Sequence, residues 1–225
     1  MNAVNVSFGT FIIQHNRTQG VFLLCKITNL LIYRKDIKDY IALEIDTLNK
    51  LDVDAINDAL NLLMETAKMH KRIYVFGNGG SSATASHYSN DFGKGISEYV
   101  EDKFRFTCLN DNIPTVMAVA NDIGFEEVFR FQLRGVIDPG DIVIAISGSG
   151  NSKNVINAVE YAKDQGNKII DLTGFDGGRL KELSDISLHA PINSMQVTED
   201  IHMIYDHLIM SIFYFYLCGK NHLKK

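Results

Sequence analysis

The sequence predicts an α/β fold: a parallel β-sheet flanked by helices on both faces, entered through an N-terminal helical segment. Three observations predict it. Short runs rich in β-formers alternate with stretches of helical periodicity. The run Arg72-Ile-Tyr-Val-Phe is short and apolar after its first residue, as a buried parallel strand is. Two of them stop at Gly/Ser-rich segments, Gly77-Asn-Gly-Gly-Ser-Ser and Ser147-Gly-Ser-Gly-Asn-Ser.

The elements follow in order. Ile37, Ile41, Ile45, Leu48 and Leu51 recur at helical spacing between Asp, Lys and Glu. Asp54 is placed to N-cap a second helix through Leu60, Leu63 and Ala67. A strand is expected over 72–76 and a helix over 81–92. A strand over 104–109 precedes helices over 113–120 and 126–134. Residues 141–146 form the clearest strand, followed by a helix over 154–165 that Gly166 ends. Strands over 168–172 and 185–190 and a long apolar helix over 198–217 complete the chain. Strands alternating with helices imply a parallel sheet, whose ligands bind at the carboxyl ends of the strands. Both Gly/Ser segments fall there.

Composition narrows the function. The 225 residues, 46% apolar and 22% charged, suit one large domain with a helical extension. A net charge of −5 argues against a nucleic-acid binder. Cys25, Cys108 and Cys218 are widely spaced and odd in number, which fits free thiols in a reducing cytoplasm rather than a disulfide framework or zinc ribbon. The apolar run over 21–33 is too short to span a bilayer, is broken by Lys26 and Asn29, and lacks the flanks of a signal peptide. The chain therefore divides into an extension of unclear role over 1–34 and one domain over 35–220, with no membrane partner expected.

The two Gly/Ser segments have one physical sense. Glycines let the backbone approach an anion, a helix N-terminus aims free N–H groups at it, and serine hydroxyls add donors. One such loop is also an ordinary strand–helix turn; two in one sheet point to a phosphate site. Neither contains Gly-Lys-Ser/Thr, which excludes a P-loop, and neither fits the dinucleotide fingerprint. The ligand expected is a small phosphate ester.

Tyr74-Val-Phe-Gly-Asn-Gly-Gly-Ser-Ser-Ala, Ala118-Val-Ala-Asn-Asp-Ile-Gly-Phe, Ile146-Ser-Gly-Ser-Gly-Asn-Ser and Leu172-Thr-Gly-Phe-Asp-Gly-Gly together resemble the sugar isomerase (SIS) domain family, and within it the phosphoheptose isomerases. The resemblance runs from about Lys35 to Leu217. It implies a cytoplasmic homotetramer with sites at subunit interfaces, converting sedoheptulose 7-phosphate to D-glycero-D-manno-heptose 7-phosphate. It implies substrate binding by Asn78, Gly79, Ser81, Asn121, Asp122, Ser147, Ser149, Ser152 and Glu199. It also implies a Zn²⁺ set of His87, Asp91, Glu199 and His207, with Asp91 as base and His207 as acid. The sequence departs from the family pattern: Asp91 replaces a Glu, Glu199 a Gln, and Asn112 a residue usually acidic.

On their own terms, His87 and Asp91 share a helix face, and Glu199 and His207 differ by about 80° of helical rotation, so both can face one site. Two imidazoles and two carboxylates suit a borderline divalent ion. Aldose–ketose isomerisation needs a base, an acid and a stabiliser of the enediolate charge. Glu199 is a second candidate for the base. His189 and His202 read as satisfied structural histidines, and Asp200 and Asp206 as solvated or subunit-facing. Two other readings stay open: a non-catalytic SIS protein that binds a phosphosugar or the replication initiator, and an isomerase of another sugar phosphate.

Overall fold

The computed structural model describes residues 33–219. The 21–33 run, apart from its last residue, and Cys25 lie outside them. Two helices come first, α1 (Tyr33–Leu48) and α2 (Val53–Lys68). The cap of α2 is Asp52 rather than Asp54: its backbone is extended, and its carboxylate accepts from the amides of Asp54 and Ala55, each at 3.0 Å.

Then β1 (Arg72–Gly77) leads into α3 (Gly80–Asn90), which continues through a π turn over Asp91–Gly95 and a 3-10 turn over Ile96–Glu98. After β2 (Arg105–Cys108) comes α4 (Ile113–Asp122). The stretch expected as one helix over 126–134 is a 3-10 turn, Phe125–Glu127, and a short α5 (Arg130–Leu133). Gly124, at φ 143°, sets the sharp entry, and the tight turn buries Val128 and Phe129 together. The rest is β3 (Ile142–Ser147), α6 (Lys153–Asp164), β4 (Lys168–Thr173), α7 (Gly178–Leu183), β5 (Ile186–His189) and α8 (Met195–Cys218), as expected from the sequence except for the short α7, which was not anticipated.

The sheet is parallel throughout, in the order β2-β1-β3-β4-β5. Successive strand residues enter opposite cores. Ile73, Val75, Ile144 and Ile170 pack with α2, α3 and α8, whereas Tyr74, Phe76, Val143 and Ile169 pack with α6 and α7. Helix α8 is long and apolar enough, by composition, to cross a membrane. Its buried Val197, Ile201, Tyr205, Ile209 and Phe213 recur every fourth residue and belong to the core on one sheet face, which accounts for that composition.

This order positions the site. The chain leaves β1 toward β2 on one side and leaves β3 toward β4 on the other, so the two loops diverge from adjacent strands. Gly77 pairs in register with Ile146, and the loops therefore open side by side at the switch point, where doubly wound sheets bind ligands.

One buried polar residue departs from expectation. His202 on α8 is 1% exposed, and neither ring nitrogen meets full hydrogen-bond geometry among the described residues, although the Thr173 backbone comes near enough to act on the ring. Burial lowers its pKa from 6.5 to about 4. The folded state thus holds the neutral ring, while the unfolded chain takes up its proton as pH falls below 6.5. This stability contribution is complete above that pH and is lost as pH falls toward 4, a loss of about 3 kcal/mol. His202→Gln removes the titration. Denaturant unfolding between pH 7 and pH 4 should show a flatter stability decline in the variant; identical slopes would show that the ring does not titrate this way.

Candidate active site

The first loop turns on glycines. A Cβ on Gly77 would stand 2.6 Å from Ser81 Cβ and 2.8 Å from the Ile146 carbonyl oxygen, so only glycine lets α3 start so close to β3. Gly79 has φ 54° and precedes α3 without a side-chain cap, leaving the helix N-terminus uncapped by protein. In the second loop Gly150, at φ 64°, folds back so that its amide donates to the Ser147 carbonyl at 2.9 Å. Ser152 precedes α6 and does not cap it; its hydroxyl instead accepts from Ser147 Oγ at 3.2 Å. Asn78 and Asn154 exchange amide hydrogen bonds of 2.9 and 2.8 Å, fastening the first loop to the helix that follows the second.

Two cavities flank the second loop. One, of about 300 Å³, is lined by Asn78, Phe125, Glu126, Ser152, Lys153 and Asn154. The other, of about 560 Å³, includes Ser149, Asn151, Phe175 and Met195 in its lining. The expected phosphate ligands Asn78, Ser149 and Ser152 thus line open space, whereas Ser81 and Ser147 are buried and outside both linings. Lys153, Asn154 and Phe125 were not anticipated, although Lys153 follows the Gly/Ser segment directly and its charge was the available signal. Asn121 and Asp122 stand exposed at the end of α4, bonded to each other at 2.7 Å and outside both linings. Asn112 N-caps α4, accepting from the Thr115 amide at 3.3 Å.

The second part of the site lies between α3 and α8. His87 Nε2 is 3.1 Å from His207 Nε2, 3.4 Å from Asp91 Oδ2 and 3.6 Å from Asp206 Oδ2. One donor atom from each of these four residues lies within 4.8 Å of all the others. Asp206 corrects the expectation of a solvated or subunit-facing residue: its side chain is fully buried, because its place on α8 turns it inward beside Tyr205. Burial, and next the charge of Asp91, push its carboxyl up to about 8.

Glu199 is not part of this group. Its carboxylate closes on Gly80, where a Cβ would stand 2.6 Å from either oxygen, at the start of α3. The rotation between positions 199 and 207 allows a shared face, but eight residues of rise separate them by about 12 Å along the helix. Glu199 therefore stands beside Gly80 and the first Gly/Ser loop, about two turns of α8 from His207. Asp200 is exposed as expected and accepts from the Tyr40 hydroxyl of α1. His189 is half-buried, its Nδ1 3.1 Å from Thr173 Oγ1.

Comparison with known proteins gives this geometry a family. The SIS domain family matches residues 36–174, from α1 through β4. Phosphoheptose isomerase of Helicobacter pylori (strain ATCC 700392 / 26695) is 35% identical over 75% of this chain and 87% of its own length. That of Aliarcobacter butzleri (strain RM4018) is 36% identical over 71% of this chain and 84% of its own. The solved phosphoheptose isomerase GmhA from Neisseria gonorrhoeae superposes with a TM-score of 0.73 at 28% identity, over 80% of this chain and 97% of that one. The chain belongs to the SIS domain family, and its α/β fold is that family's.

Proposed function

We propose that this sugar-phosphate isomerase interconverts sedoheptulose 7-phosphate and D-glycero-D-manno-heptose 7-phosphate by enediol proton transfer. The observation that carries the reading is the spacing of the two half-sites. His87 lies seven residues after Gly80 on α3, about 10 Å along the helix from the phosphate loops. A substrate anchored by a terminal phosphate at Ser147, Ser149, Ser152, Asn78 and the start of α6 would extend its carbonyl end toward the His/Asp group. That distance suits a long open-chain ketose phosphate, and the names of the relatives agree with it.

The residues at the far end fit a divalent ion. Bonds of 2.0–2.1 Å in a tetrahedron place donor atoms about 3.3 Å apart, close to the separations from His87 Nε2. His87, Asp91 and His207 would hold Zn²⁺, which would supply Lewis-acid stabilisation of the enediolate charge. Asp91 takes the proton from the ketose C1 and His207 delivers a proton to the carbonyl oxygen, giving the enediol; Asp91 then returns a proton to C2 while His207 takes back the proton of the C1 hydroxyl, leaving the aldose. Asp91 Oδ1 accepts from the Asn90 amide at 3.1 Å, which orients the carboxylate. Glu199, at the loop end, contacts the sugar hydroxyls.

The same reading expects a cytoplasmic homotetramer. Tyr33, Ile37, Ile41 and Ile45 on α1 and Tyr216 on α8 are all more than half exposed and supply apolar surface for subunit contacts.

Turnover of ketose phosphates of increasing length, with metal-loaded and chelated protein, tests the function. Conversion of the seven-carbon substrate, lost on chelation and restored by the ion, is the expected result. Binding of phosphate esters without turnover would replace it with the phosphosugar-binding reading, and preference for a shorter ketose would reassign the substrate.

A further inference from the structure

We propose that Asp206 is the fourth metal-binding donor of this chain, so that the ion would be held by His87, Asp91, Asp206 and His207 and not by Glu199, and would take the substrate oxygen by expanding its coordination, as zinc can. The inference rests on the metal-assisted reading above, and it concerns which side chains hold the ion.

Three observations carry it. The first is distance: Asp206 Oδ2 stands 3.6 Å from His87 Nε2, and the four donor atoms lie within 4.8 Å of one another. Two donors on one tetrahedral zinc are separated by about 3.3 Å, so the group needs only small side-chain adjustments to close on an ion. The second is saturation. Asp206 has no solvent exposure, and neither carboxylate oxygen has a hydrogen-bond partner among the described residues. A buried carboxylate left unpartnered is costly, and the groups nearest this one are histidine and another carboxylate, not a lysine or arginine. A bound cation satisfies both oxygens and offsets the repulsion between Asp206 and Asp91. The third is the meeting of the rings. The ring planes of His87 and His207 cross at 73°, their Nε2 atoms are 3.1 Å apart, and that of His87 is also 3.6 Å from Asp206 Oδ2.

The layout gives each residue a place. His207 is exposed and the His87 side chain is 39% exposed, so these rings form the open mouth; Asp206 forms the floor. Asp91, 14% exposed, stands between. The fourth donor thus comes from the residue beside His207 on α8, with no reach along the helix. Glu199 could join only by leaving Gly80 and spanning about two turns of α8, roughly 12 Å.

The test reads metal occupancy, not turnover, so its failure is separable from failure of the isomerase reading. Cobalt(II) is titrated into metal-free full-length wild type, Asp206→Asn and Glu199→Gln, with affinity and stoichiometry taken from equilibrium dialysis and coordination from visible absorption. Wild type and Glu199→Gln should each bind one ion per chain with the same affinity and spectrum. Asp206→Asn should lose affinity by more than the roughly 10–100-fold that an outer-shell partner is worth, and its spectrum should change. Circular dichroism of the metal-free variants establishes that each is folded. If Asp206→Asn does not fold, Asp206→Glu is titrated instead: it keeps the donor and should bind cobalt with a shifted spectrum, and a wild-type spectrum would overturn the proposal. Wild-type affinity in a folded Asp206→Asn, or loss of the ion in Glu199→Gln, would also overturn it.

Discussion

Asp91→Asn is expected to lower kcat by about 10²–10⁴-fold, measured at saturating metal, while phosphate-ester binding stays at the wild-type level. The substitution keeps size and removes basicity. Phosphate binding is assigned to the loops after β1 and β3, about 10 Å away along α3, so it should not register the change. Asp91→Glu sharpens the test. Asp91 opens the π turn that follows α3, and its carboxylate is only 14% exposed. If reach alone separates it from the Glu that the resemblance implies at this position, the Glu variant retains turnover. Glu199→Gln provides the contrast. Its carboxylate is held against Gly80 at the loop end, so its loss should raise KM with a smaller effect on kcat. If Asp91→Asn is harmless and Glu199→Gln abolishes turnover, then Glu199 is the base and the assignment of Asp91 fails.

Gly150→Ala should disable the phosphate loop. A Cβ at this position would stand 1.9 Å from the Gly177 carbonyl oxygen and 2.5 Å from its carbon. Both are backbone atoms, so no side chain can move aside. Gly150 also holds φ 64°, a left-handed conformation that costs an alanine about 1–2 kcal/mol. The loop must shift, which breaks the bond from the Leu180 amide to the Gly150 carbonyl and moves Ser149 and Ser152 off their positions. KM for the phosphate ester should rise at least about tenfold, the equivalent of 1.4 kcal/mol. Gly166→Ala is the control. It shares a positive φ, at 82°, but has nothing within 4 Å of its added Cβ and lies at the far end of α6. It should lower stability and leave KM unchanged. Equal KM effects in the two variants would mean that the second loop does not hold the phosphate.

Much of this arrangement was legible in the sequence because its signals are contiguous. Strand β1 is an apolar run after Arg72 and β3 one that ends at Ser147, and each Gly/Ser loop is a single segment whose chemistry follows from composition and position. The His87–Asp91 pair was legible for the same reason, being one helical turn. What was not legible depends on distance between elements. Asp206 gives no periodic signal, since it adjoins His207 and sits among polar and apolar neighbours; only the packing of α8 against α3 shows that it points inward. Glu199 was grouped with His207 by the resemblance and by helical rotation, and it is the eight residues of rise between them that set its carboxylate beside Gly80 in this chain. Asp52 and Asp54 carry the same side chain two residues apart, and extended backbone at Asp52 decides which of them caps α2. His202 was expected to be satisfied, yet among the described residues only the Thr173 backbone approaches its ring, short of full hydrogen-bond geometry.

The central claim, an isomerase working through an enediol, is tested most directly by incubating the metal-loaded protein with sedoheptulose 7-phosphate in deuterium oxide and following the product by NMR. The account predicts an aldose 7-phosphate carrying solvent deuterium at C2, formed by wild type and nearly absent with Asp91→Asn. Unchanged ketose phosphate, bound to the protein yet neither converted nor labelled, would contradict it and leave the two loops as a phosphosugar-binding site without catalysis.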